Sequence, residues 1–153
     1  MKMKILKTFL ENNPFFHGML GSEIDKLLKH ADHVRFLPDE QIFREGEDAT
    51  RLFLIAQGKA AIQMYEPGNG AITLETLGEN DILGWSWLFP PHQWHFDAKA
   101  VELLRAYTFD AKGLLQEFEQ DPHFGMEIHR RFSGLLMQRL KTTRLRYLQL
   151  YSR

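Results

Sequence analysis

A few small groups of side chains have types and spacings that chemistry uses. His92-x-x-His95 and His30-x-x-His33 each set two imidazoles three residues apart, and with a carboxylate such as Asp97 the first pair could hold zinc or iron. The aromatic surroundings of His92 and His95 also raise haem ligation. Gly84-Trp-Ser-Trp-Leu88 sets a serine two residues after a glycine, in the manner of a nucleophile elbow. Glu45, Glu47 and Asp48 gather three acids within four positions. Each group has a plainer reading. No second ligand cluster follows either histidine pair, the second glycine of the elbow is replaced by Leu88, and the acids fit a solvated turn between strands. The expectation is a protein with no catalytic residue, no metal and no cofactor, and not an enzyme.

The remaining candidate is aromatic. Between Leu77 and Ala100 lie all three tryptophans and the Pro90-Pro91 pair, and no Lys or Arg occurs between Lys59 and Lys99. The pocket candidates are Gly84, Trp85, Ser86, Trp87, Leu88, Trp94 and Phe96. Two readings stay open. The rings line an apolar pocket for a small ligand, or they fill the cavity themselves and leave a rigid scaffold for dimerisation or docking.

The elements that must position this segment follow from pattern and turn chemistry. Ser22 is expected to cap a short helix running to about His30, with Asp25 near the capping-box position and Ile24, Leu27 and Leu28 on one face. Short strands follow at 34–37, 41–43, 51–57, 60–65, 71–77, 96–101 and 103–109, separated by Gly46, Gln57-Gly58-Lys59, Glu66-Pro-Gly-Asn-Gly70 and Gly78-Glu-Asn-Asp81. Such close spacing implies a roll. Asp110 caps a helix of about ten residues, and Asp121-Pro122 opens a long one. Ile128, Phe132, Leu136, Leu140 and Tyr147 recur along it at helical spacing and are the candidate dimer contacts. A core-packing helix in a monomer is the alternative.

Composition bounds the class. The 153 residues, 44% of them hydrophobic and 12 of them Phe, suffice for one core, and a single domain is expected: N-terminal helices over 1–33, a β-roll over 34–109 and C-terminal helices over 110–153. From His123 onward seven Lys or Arg face one Glu, whereas the first 122 positions hold 12 basic and 19 acidic residues. A basic tail therefore follows an acidic body. The absence of cysteine excludes disulfides, thiolate metal sites and a Cys nucleophile. The start, Met1-Lys-Met-Lys-Ile-Leu-Lys7, has no apolar stretch of signal-peptide type, and no run of 18 apolar residues occurs, so a cytoplasmic protein without a membrane anchor is expected.

Four local patterns, in this order and spacing, resemble the cyclic-nucleotide-binding domain family that includes bacterial catabolite activator proteins. They are Ile42-Phe-Arg-Glu-Gly-Glu47, Leu52-Phe-Leu-Ile-Ala-Gln-Gly-Lys-Ala60, Leu77-Gly-Glu-Asn-Asp-Ile-Leu-Gly84, and the strand pair from Ala98-Lys-Ala100 to Phe109. The resemblance covers almost the whole chain. It implies a mainly β fold, a double-stranded jelly-roll-like β-roll with short N-terminal helices and a long C-terminal helix. It implies a regulatory or sensory module in a homodimer. In the family a Glu follows the glycine matched by Gly84 and accepts a ribose hydroxyl, and an Arg about ten positions on grips the cyclic phosphate. Trp85 and, by strand parity, Trp94 stand at those positions. The leading expectation is therefore a sensor-like module that binds a different, apolar or aromatic ligand or none. Binding of cyclic AMP or cyclic GMP is the first alternative, and a ligand-free interaction scaffold the second. The family's transcription regulators continue into a helix-turn-helix domain after the long helix, and this sequence ends at Arg153, so direct DNA binding is not expected.

Overall fold

The computed structural model describes residues 2–152. It parts into two compact units, residues 1–116 and 117–153, with the division inside one helix. The first unit opens with α1 (Lys2–Asn12) and α2 (Gly21–Lys29). Eight strands follow: β1 (Ala31–Phe36), β2 (Gln41–Phe43), β3 (Arg51–Gln57), β4 (Ala60–Glu66), β5 (Gly70–Leu77), β6 (Ile82–Leu83), β7 (Asp97–Ala100) and β8 (Leu104–Asp110). They form two four-stranded antiparallel sheets in the orders β1-β8-β3-β6 and β2-β7-β4-β5. This is the expected mainly β, jelly-roll-like architecture with short helices before it and a long helix after it.

Several boundaries differ from the sequence expectation, each for a local reason. The strand expected at 34–37 is β1, which starts at Ala31 because six consecutive residues pair with β8, from Ala31 opposite Phe109 to Phe36 opposite Leu104. Ser22 does not cap α2. Leu20 precedes the helix, and its backbone N–H donates to the Glu23 carboxylate at 3.1 Å, so Glu23 takes the role expected of Asp25. Ile24, Leu27 and Leu28 are buried as their spacing requires.

β3 is buried on both faces, which its apolar run anticipates. On one face, Leu52 lies opposite Phe109, and the Phe109 ring is 6.2 Å from Phe16, which follows α1. On the other, Phe53 turns toward Phe43 of the second sheet, with ring centroids 6.0 Å apart. That second face, the interior of the roll, is where the aromatic segment arrives. Gly58 joins β3 to β4 at φ +94°, and a Cβ there would run into the Leu103 carbonyl, so only glycine fits the turn.

Two caps end the roll and start the helices. The Asp110 carboxylate accepts the Gly113 N–H at 2.8 Å at the head of α3 (Ala111–Gln120). In the second unit, Asp121 accepts the Phe124 N–H at 3.3 Å and Pro122 opens α4 (Pro122–Tyr151), a helix of 30 residues. Phe118 and Phe124 pack edge to face at 5.2 Å across this corner. Further on, Glu127 binds Arg130 at 2.7 Å and Arg131 at 2.8 Å. The hydrogen bond from Arg130 holds the Glu127 carboxyl below its ordinary range, assisted by Arg131 and opposed by burial.

Candidate functional site

The aromatic segment begins where β6 ends. Leu83 pairs with Phe53, and the chain then turns at Gly84 with φ +94°. Ser86–Leu88 form a single 3-10 turn, closed by the Leu88 N–H donating to the Trp85 carbonyl at 3.0 Å. After Pro90-Pro91 the chain runs back alongside residues 46–49. Ala49 N–H donates to the His92 carbonyl at 2.7 Å, Trp94 N–H to the Glu47 carbonyl at 3.0 Å, and Gly46 N–H to the Trp94 carbonyl at 2.9 Å. The backbone of Trp94 is thus held from both sides.

Its side chain goes inward. Trp94 is 4% exposed and lies parallel to Phe43 at 3.8 Å, with 7° between the planes. The far edge of the indole covers Gly84, where a Cβ would sit 2.5 Å from Cζ3 and 2.7 Å from Cη2. Phe53 lies 6.4 Å from the indole, Phe96 lies 6.0 Å from Phe43, and Trp85 meets Phe96 edge-on at 5.3 Å. Trp87 and Leu88 are buried, while Trp85 is half-buried. The seven candidates therefore converge on one stretch of chain, but they do not share one surface: Trp94 and Phe96 join the interior ring cluster, and Trp85 stands at its edge.

Polar groups fix the loop. Ser86 is fully buried, with Oγ 2.9 Å from His95 Nδ1, and His92 Nδ1 donates to the Trp87 carbonyl at 2.9 Å. Both histidines of the spaced pair therefore tie the loop to the 3-10 turn. A buried hydroxyl so placed has no approach for a substrate, so the Ser–His contact is a brace. Among the described residues no group of three or more His, Asp or Glu could hold a metal ion.

Sequence reasoning missed two features of this site. The sequence pattern shows Phe43 only as part of a strand, yet it is the platform on which Trp94 stacks. A cation also reaches the edge of the cluster from outside the segment. The Arg51 guanidinium lies 5.1 Å from the centre of the Phe53 ring, on the face of β3 that alternation gives to Phe53. The positional signal was available in Arg51-x-Phe53. Lys99, on the other parity, meets Asp39 at 3.6 Å.

Of the candidate dimer residues, Ile128 and Phe132 are buried and Leu136 is half-buried, whereas Leu140 and Tyr147 are 50% and 58% exposed. Only the distal part of that stripe is open to a partner. There the Tyr147 and Tyr151 hydroxyls meet at 2.8 Å, which raises the Tyr147 phenol above its ordinary range. No helix is long and apolar enough to cross a membrane among the described residues.

Comparison with known proteins places this geometry. Residues 33–121 match the family described as "Cyclic nucleotide-binding domain". The "CRP-like cAMP-activated global transcriptional regulator" of Mycobacterium tuberculosis is 29% identical over 128 residues, which cover 84% of this chain and 55% of that protein. The chain thus spans just over half the length of that relative. A cyclic nucleotide-binding domain from Methylobacillus flagellatus superposes with a TM-score of 0.80 at 19% identity, over 97% of this chain and 83% of that one. The catabolite activator protein of Thermus thermophilus superposes at 0.71 with 25% identity, over 90% and 63%. A matched region running from the strands through α3, more than half the chain, fits the two sheets and the turn at Gly84: the chain belongs to the cyclic nucleotide-binding domain family.

Proposed function

We propose that this domain is a non-catalytic regulatory module whose roll interior is filled by its own aromatic rings, so that it does not grip a cyclic phosphate through the segment from Gly84 to Trp94. The observation that carries this reading is the Trp94 indole, 4% exposed, stacked on Phe43 at 3.8 Å and lying over Gly84. A cyclic phosphate taken out of water needs a cation or several aimed donors, or it pays a penalty of several kcal/mol. The segment supplies no Lys or Arg, and a single 3-10 turn has too little aligned dipole to replace one. Any ligand admitted there would be uncharged and aromatic, in exchange for one of the rings.

Output through a second copy fits the distal part of α4, where Leu140 and Tyr147 are exposed. Regulation in a cytoplasmic homodimer is the setting this supports, with relatives that are transcriptional regulators. The test is a calorimetric titration with cyclic AMP and cyclic GMP. Saturable binding tighter than about 10 μM, roughly 7 kcal/mol, overturns the reading.

A further inference from the structure

The outer face of the β1–β8 pair carries a charge arrangement that the aromatic segment does not explain. Arg35 and Arg105 are direct cross-strand partners, and the next pair on the same face is His33 opposite Tyr107. This face is opposite to that of Thr108, which pairs with the interior Phe53. Like charges placed directly across a strand pair destabilise it. Among the described residues neither arginine has an ion pair or a hydrogen bond that would offset the repulsion. Arg35, Arg105 and His33 border a hollow of about 290 Å³, with Ala56 and Ala106 in its wall.

A second hollow, of about 320 Å³, shares His33 and Tyr107 with the first. Its other walls are largely apolar and come from Met3, Ile5 and Leu6 of α1 and Leu28 of α2. Met3 and Ile5 are 59% and 63% exposed, so two large apolar side chains are held in water at this rim. The acid here, Asp32, lies 3.8 Å from His33 Nδ1.

Two hollows that share His33 and Tyr107, one largely apolar and the other bordered by Arg35 and Arg105, match an apolar chain ending in an anion. The geometry points to a binding site for a single-chain alkyl carboxylate, its chain along α1 and its head between Arg35 and Arg105. Planar guanidinium forks match a carboxylate in two-point fashion, and burial of the chain supplies the driving force. The hollows fall at the lower end of small-molecule pocket volumes. This site stands on the other face of the sheet from Trp94 and does not rest on the function proposed for that segment.

The experiment is calorimetric titration of the whole chain with dodecanoate below its micelle concentration, and with its uncharged methyl ester. Dodecanoate is expected to bind saturably. The double change Arg35→Gln, Arg105→Gln is expected to weaken it about tenfold or more, as loss of charge-assisted hydrogen bonds implies, and Ile5→Asp is expected to weaken it as well. Because the arginines repel each other, the double variant is expected to melt no lower than the parent. The ester comparison needs no variant: the acid is expected to bind tighter. Absence of saturable binding by the parent chain, equal affinity for acid and ester, or an unchanged affinity in the double glutamine variant would each overturn the assignment.

Discussion

Replacing Gly84 by alanine probes whether the Trp94 indole occupies the space above this residue. The backbone at φ +94° is unfavourable for any residue with a Cβ, at about 1–2 kcal/mol. The new methyl group would also lie 2.5 Å and 2.7 Å from two indole carbons, roughly 1 Å inside a comfortable carbon contact. With the backbone held on both sides, the ring has little room to retreat, and overpacking of this kind costs about 1–3 kcal/mol. Gly84→Ala is therefore expected to cost about 2–5 kcal/mol, a large share of a domain's about 5–15 kcal/mol. The two components separate in a double-mutant cycle with Trp94→Leu. Leucine loses the stack on Phe43, at a cost below the about 3–5 kcal/mol of a full Trp→Ala truncation, but it does not cover Gly84. The clash then disappears and only the backbone component of Gly84→Ala remains. Urea unfolding followed by circular dichroism should show the double variant more stable than the summed single effects by about 1–3 kcal/mol. Additivity within about 0.5 kcal/mol would refute the reasoning, because the indole would then not be lying over Gly84.

The other expectations concern the caps, the ion pair and the distal helix. Asp110→Ala removes the acceptor for the Gly113 N–H and should lower stability by about 1 kcal/mol, read as a lower urea midpoint; no change would mean that the cap contributes nothing. The Glu127 carboxyl is held below its ordinary range by Arg130, so its contribution is complete above the unfolded carboxylate range and lost as pH falls through the lower folded value. Glu127→Gln should therefore flatten the loss of melting temperature below about pH 4, and an unaltered acid limb would contradict this. Leu140→Glu with Tyr147→Glu, both at exposed positions, should give a monomer by sedimentation where the parent is a dimer; an unchanged mass would place the contact elsewhere.

The parts of the fold that were legible in the sequence are those with local causes. Asp110, Asp121-Pro122 and the glycines at 46, 58 and 84 act on the backbone within a few residues, and the caps and turns stand where these residues required them. β6 was not legible, because two residues carry no period and owe their strand geometry to pairing with Phe53 and Leu54. α1 was legible only as one of the helices expected over 1–33, without bounds of its own. β1 begins three residues before its sequence pattern does, because Ala31-Asp-His lack strand character on their own and are ordered by β8, more than 70 positions away. The same remoteness hid the facing arginines: nothing near Arg35 in sequence announces Arg105. Within the aromatic segment, parity turns Trp94 inward, but its platform, Phe43, lies on β2, which is brought beside the segment only by pairing with β7 and by the backbone contacts of residues 46–49.

The claim that bears the most weight is that the Trp94 ring stays in the interior while a cyclic nucleotide is offered. Assigning the three indole N–H resonances by single substitution, and following that of Trp94 during addition of cyclic AMP, tests it at the residue itself. The expected result is a resonance that keeps its position up to about 1 mM nucleotide, a concentration at which even a 4 kcal/mol complex is half-formed. A saturable shift of Trp94, with the ring leaving Phe43, would contradict the account.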